Sequence, residues 1–278
     1  MINEEPPSAH LPSAHLPSAN LPSEGLPAEH LPSGDLPSGG PPAEGPPAGD
    51  ALLAAAVRNN AAWCGSMCRA HGLDPATGPR AWTSPRRTPL YYPDAVSLAA
   101  DATAADVLAG IDLGAPGASV KDSYARLDLA PEGFRPLFDA TWIGRPAGPP
   151  AAPGPSWTRA GTPGALAAWA HAWSGGEADE AALFRPALLD DPAVTVLAVP
   201  GPGGRILGGA VLSTGAGATG VSNLFAADGT DPALVWAAAL AAADPALPVV
   251  GYESGDDLAA ALAAGFVGLG PLRVWLAA

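Results

Sequence analysis

The chain has 278 residues and a net charge of −14. Such an acid excess argues against a nucleic-acid grip and against an anionic membrane surface, both of which need clustered Lys and Arg. Hydrophobic residues make up 48% of the chain, enough for a core, and no apolar run of about 18 residues is present to span a bilayer.

Residues 6–50 repeat a pentapeptide with proline second, as in Leu11-Pro12-Ser13-Ala14-His15. Proline every five residues breaks helices and denies a central strand its donors. Residues 1–50 therefore read as an extended, partly polyproline II, disordered tail. His10, His15 and His30 recur with the repeat, which explains them better than metal binding does. No basic stretch followed by an apolar core opens the chain, so a cytoplasmic location is expected.

Residues 51–147 read as an α/β unit. Ala51 to Ala70 is an expected helix ending at Gly72. Cys64, Cys68 and His71 share one face of it, but a zinc site wants a second ligand cluster. A buried thiol pair beside a histidine is the plainer reading, and no metal is expected. Residues 74–93 read as loop, with Arg86-Arg87 as a salt-bridging turn and Tyr91-Tyr92-Pro93 near its end. Ala95 to Leu98 is an expected strand. Thr103 to Ala109 is an expected helix capped by Asp101 or Thr103. Ser119 to Leu127 and Phe134 to Ile143 are expected strands.

Proline and glycine mark a boundary over 145–162. Residues 156–278 then form a second unit. Leu166 to Trp173 and Ala178 to Leu189 read as helices, the second broken at Pro186. Trp169 and Trp173 lie one turn apart, more in the manner of core than of an acceptor pocket. Val194 to Val199 and Ile206 to Leu212 flank a glycine-rich turn as a hairpin. Val221 to Phe225 is a strand followed by a polar turn. Asp231 then caps a helix, with Pro232 at its first position. Asp244-Pro245 stops that helix, and Val249 to Tyr252 is a second buried strand. Strand, turn, helix, strand argues for a parallel crossover, whose ligands bind beyond the strands' carboxyl ends. A short helix, Asp256 to Ala264, and a strand region, Phe266 to Leu276, close the chain.

This order of elements, together with Ala264-Gly265-Phe266 before the last strand, resembles the Gcn5-related N-acetyltransferase (GNAT) family. The resemblance implies a mixed twisted sheet flanked by helices. The first half is either a degenerate second copy or a family-specific domain. It also implies acetyl-CoA as co-substrate and a small-molecule or peptide amine as acceptor. Pantetheine amides would pair with the strand edge at Asn223, Leu224, Phe225 and Ala226. Gly229 and Thr230 would lie in the pyrophosphate turn, and Ser254 stands where the family often has asparagine. Glu253 is the best-placed general base, and Tyr252 the spare acid. The chain departs from the family in two places. Its turn, Ala227 to Pro232, has one glycine and two carboxylates, and Ala261 stands where a tyrosine acid is usual. Those departures leave a non-catalytic binding or scaffolding module as the alternative.

Overall fold

The computed structural model describes residues 48–114, 116–150 and 154–277. The expected tail lies outside them up to Pro47, with His10, His15 and His30. Helix α1 (Ala48–Ala70) starts three residues before the expected boundary. Asp50 in its first turn and Arg69 in its last complement the helix dipole. It ends at Gly72, whose φ of 73° allows Leu73 N–H to reach Cys68 O at 2.9 Å.

Two short strands, β1 (Ala76–Thr77) and β2 (Ala81–Thr83), lie where loop was expected. They are too short to carry a readable alternation. Then come β3 (Ala95–Ser97) and α2 (Ala104–Leu108), whose capping box joins Thr103 and Asp106. Strand β4 (Ser119–Asp122) stops well short of Leu127. The Asp122 carboxylate accepts from Leu127 N–H at 2.7 Å and Tyr124 N–H at 3.3 Å, folding the chain into a turn. Strand β5 (Phe134–Arg145) follows.

The second half starts with β6 (Thr158–Arg159) and α3 (Pro163–Trp173), the latter capped by Thr162. Helix α4 (Ala178–Ala181) is a single turn rather than a helix to Leu189, and Pro186 opens a separate 3-10 turn. The hairpin is β7 (Val194–Pro200) and β8 (Ile206–Gly215). Strand β9 (Ala218–Ala226), helix α5 (Pro232–Ala242), strand β10 (Val249–Glu253), helix α6 (Gly255–Ala263) and strand β11 (Val267–Ala277) complete the described chain.

All eleven strands join in one sheet, ordered β1-β2-β3-β4-β11-β5-β10-β9-β8-β7-β6. At its centre β11 and β5 run antiparallel. Outward from either one the pairings repeat: antiparallel (β11·β4, β5·β10), parallel (β4·β3, β10·β9), then antiparallel. Each parallel pair is bridged by a helix, α2 or α5. The last strand of each half thus lies beside the other half's strands. The architecture is a mixed sheet flanked by helices.

Helices α1 and α3 cover one face of the sheet with Trp63, Met67, Trp142, Trp169 and Phe225 in the core between. Helices α5 and α6 cover the other, over Ile143, Val221, Val249, Trp236 and Phe266. Asn59 pins α1 to the sheet. Its Nδ2 donates to the carbonyls of Ser213, Gly215 and Ala218 at 2.9, 3.1 and 3.2 Å. A Cβ at Gly220 would lie 1.9 Å from Asn59 Oδ1, so glycine is needed for this approach. Asn59→Leu is expected to cost roughly 2–3 kcal/mol, the desolvation of carbonyls left without a donor. Urea unfolding measures it, and a cost near zero would mean that water replaces the amide.

Candidate active site

Strands β9 and β10 pair in parallel at Thr219↔Val249 and Gly220↔Val250, and their pairing stops there. Beyond that point β9 runs on against β8, and β10 runs on against β5. The edges Val221–Ala226 and Gly251–Glu253 therefore part into a wedge. A bulge helps to turn β9 away. Its register against β8 shifts between Gly209 and Val211, and Asn223 takes a φ of 51°. A non-glycine residue in that region is strained, and such strain collects at functional sites.

On the α1 side, Asn223 Oδ1 accepts from Tyr92 Oη at 3.3 Å. Tyr92 is buried, and burial is the main reason its hydroxyl titrates well above the usual phenol range. Tyr252 packs edge-on against Trp142, with ring centroids 5.5 Å apart. Lys121, the single lysine of the chain, places its Nζ 4.2 Å above the Tyr252 ring and donates to Asn60 Oδ1 at 2.7 Å. Tyr92, Lys121 and Asn60 were not among the expected site residues. All three come from the first half, and pairings across more than 60 residues leave no local mark in a sequence.

On the α5 side, Glu253 is half-buried. Burial first, and the Asp257 carboxylate second, push its carboxyl up to about 8. Ser254 Oγ is buried and has no hydrogen-bond partner among the described residues. Leu224 and Ala226 are half-buried at the parted edge, whereas Phe225 turns into the core against Trp169 at 5.4 Å. Past the strand end Gly229 is exposed, and Thr230 N–H is taken by Ala227 O at 2.8 Å. Asp231 Oδ1 accepts from Ala233 N–H at 2.9 Å and so occupies an amide at the α5 N-terminus. Ala261 is fully buried. Unpaired strand edges and the orphaned Ser254 hydroxyl suit the amide-bearing arm of a thioester. The capped α5 terminus suits its pyrophosphate poorly.

Elsewhere, Cys64 and Cys68 are buried free thiols. Burial pushes both up, Cys68 to about 12. His71 lies 2.8 Å from Leu183 O through its Nε2. Arg87 pairs with Asp94, and Arg86 donates to Gly72 O at 2.7 Å. No group of three or more metal-ligating side chains occurs among the described residues.

No protein-family model and no curated protein matches the chain. Solved structures do resemble it in chain path. A GNAT-family protein from Novosphingobium aromaticivorans is 13% identical, with a TM-score of 0.47 over 77% of this chain and 94% of that one. A GCN5-related N-acetyltransferase from Sphaerobacter thermophilus is 12% identical, with a TM-score of 0.41. The match spans 58% of this chain and 60% of that one, so it leaves two-fifths of the neighbour unmatched. One from Kribbella flavida is 17% identical, with a TM-score of 0.37 over 57% of this chain and 42% of that one. Likenesses of this size say nothing about activity or substrate.

Proposed function

We propose that the protein is an N-acetyltransferase that moves the acetyl group of acetyl-CoA to an amine of a small molecule or peptide, in the cytoplasm. The parting of β9 from β10 after Gly220 and Val250 carries this reading. It frees backbone donors and acceptors along Asn223 to Ala226, against which the amides of the thioester's arm pair. Gly229 and Thr230 then lie toward the pyrophosphate, and Ser254 Oγ offers the same substrate a hydroxyl.

The chemistry is a single displacement. The neutral amine nitrogen attacks the thioester carbonyl carbon, a C–N bond forms, the C–S bond breaks and the thiolate leaves. Glu253 takes the proton that the amine loses. A carboxyl raised to about 8 by burial is a far stronger base than an ordinary one. Tyr252 is assigned to the other side, as the phenol that could return a proton to sulfur.

Calorimetric titration with acetyl-CoA tests the reading. Binding in the micromolar to millimolar range is expected, and a folded protein that takes up no heat at millimolar ligand overturns it. Because Glu253 works only when ionised, the rate is expected to climb as pH rises through about 8 and to level above it. Asp257→Asn removes the second cause of that shift and should move the climb to lower pH. A pH profile that is flat from 6 to 9 would remove Glu253 from the role.

A second reading is favoured by Asp231 and Ala261. The capped terminus of α5 and the absent acid on α6 also suit a module that keeps the fold without the chemistry. Thiol release that depends on an added amine excludes it.

A further inference from the structure

The first half of the chain sends one cation into the core beside the wedge. Lys121, on β4, is 3% exposed. Among the described residues no carboxylate forms an ion pair with it. Asp122, next in the chain, is turned away to the amides of Tyr124 and Leu127. The other titratable groups around the ammonium are Tyr252, Cys64 of α1 and Tyr92 of the loop before β3. Burial raises Cys64 and Tyr92 above their ordinary values, so neither offers a negative charge at neutral pH. An ammonium so far out of water without a counter-ion is costly to fold around. A methionine of similar length would fill the same space without that cost.

What the ammonium does touch is the wedge. Its Nζ donates to Asn60 Oδ1 at 2.7 Å and stands 4.2 Å above the centre of the Tyr252 ring. Trp142, opposite Tyr252 on β5, meets the same ring edge-on at 5.5 Å. Tyr252 is thus fixed between a cation on its face and an indole at its side, at the parted end of β10.

We propose that Lys121 is a positioning residue for Tyr252, and that its ammonium offsets the negative charge released when the thioester breaks. The step rests on the acetyltransferase reading. As the C–S bond breaks, its electron pair stays on sulfur. The Tyr252 O–H bond then breaks and an S–H bond forms, which leaves a phenolate. After the thiol has gone, solvent returns a proton to the phenolate and takes up the one held by Glu253. Lys121 keeps its three protons throughout. The charge moves from sulfur to the phenol oxygen, and the ammonium offsets it in both places. A cation already fixed in a site of low dielectric needs no reorganisation at the moment of reaction. The first half therefore contributes to the chemistry as well as to the sheet.

Calorimetry of the full-length protein with acetyl-CoA and with free CoA, at pH 7 and at pH 9, tests the proposal without an acceptor. Free CoA carries a thiol that ionises over this range and acetyl-CoA does not. The ratio of the two affinities therefore reads the attraction of the site for a thiolate. In the wild type it should rise in favour of free CoA by roughly tenfold between the two pH values. Lys121→Met should remove most of that rise, and Lys121→Arg, which keeps the charge, should retain it. A merely structural lysine would shift both affinities together and leave their ratio unchanged. Glu253 titrates at about 8, within the same interval, but it does so in every variant and cancels in the comparison. An equal rise in Lys121→Met and the wild type overturns the proposal and leaves the acetyltransferase reading standing, as does a wild type without any rise. A folded wild type that binds neither nucleotide overturns that reading, and the proton step with it. If Lys121→Met does not fold, Lys121→Gln, which keeps a donor for Asn60, decides by the same ratio.

Discussion

Glu253→Gln is expected to lower turnover by roughly 10²–10⁴-fold, the span contributed by a positioned general base. Glutamine keeps the shape of the side chain but takes no proton, so acetyl-CoA affinity should hardly change. Thiol release at pH 9, with calorimetry alongside, separates the two quantities. A drop of less than about tenfold would place the base elsewhere. The same variant should reveal a cost in stability. Inside the fold the carboxyl titrates at about 8, against an ordinary 4.5, so the folded state holds its proton more tightly than the unfolded chain does. The resulting stability is full below about 4.5 and is lost as pH rises through about 8. Glu253→Gln has no such loss, and at pH 9 it should be the more stable protein by ~2 kcal/mol, discounted for a half-buried group. Near pH 5 the two should be much closer.

Trp142→Ala is expected to remove about 3–5 kcal/mol, the usual result of emptying a large aromatic site. Trp142 is fully buried at the middle of β5. It lies opposite Tyr252 on one side and Gly270 on the other. Its Nε1 also donates to Ser123 O at 2.7 Å, and the variant leaves that carbonyl without its donor. Because β5, the last strand of the first half, pairs with β10 and β11 of the second, the whole sheet should melt in one transition at a lower temperature. Two separate transitions by calorimetry would show instead that the halves hold together independently.

The elements legible in the sequence were those with local chemistry. Asp231 and Pro232 mark the start of α5, Thr103 caps α2, and the runs at Val194 and Ile206 flank their turn; each signal lies within a few residues of its effect. The parallel pairing of β9 with β10 followed from the same logic, since a strand, a helix and a strand leave few ways to connect. The misreadings were of another kind. The expected strand beyond Asp122 looked apolar enough, but a carboxylate accepting backbone amides outweighed pattern. The helix drawn from Ala178 to Leu189 gave way to a single turn and a 3-10 segment. In the wedge itself Tyr252 and Glu253 were readable as strand-end residues, whereas Asn223 came only from the family resemblance. Tyr92 and Lys121 were not, because what brings them there is the packing of one half against the other.

The positions of β5 and β11 carry a consequence for anyone dividing this protein. A break introduced between residues 150 and 154 would leave each fragment with an unsheathed hydrogen-bonding edge, where the strand of the other fragment belongs. Such fragments should aggregate when made singly and should recover a soluble, folded complex when made together. The molecule is in that sense a natural candidate for a split reporter, whose two pieces signal only when something brings them within reach of each other.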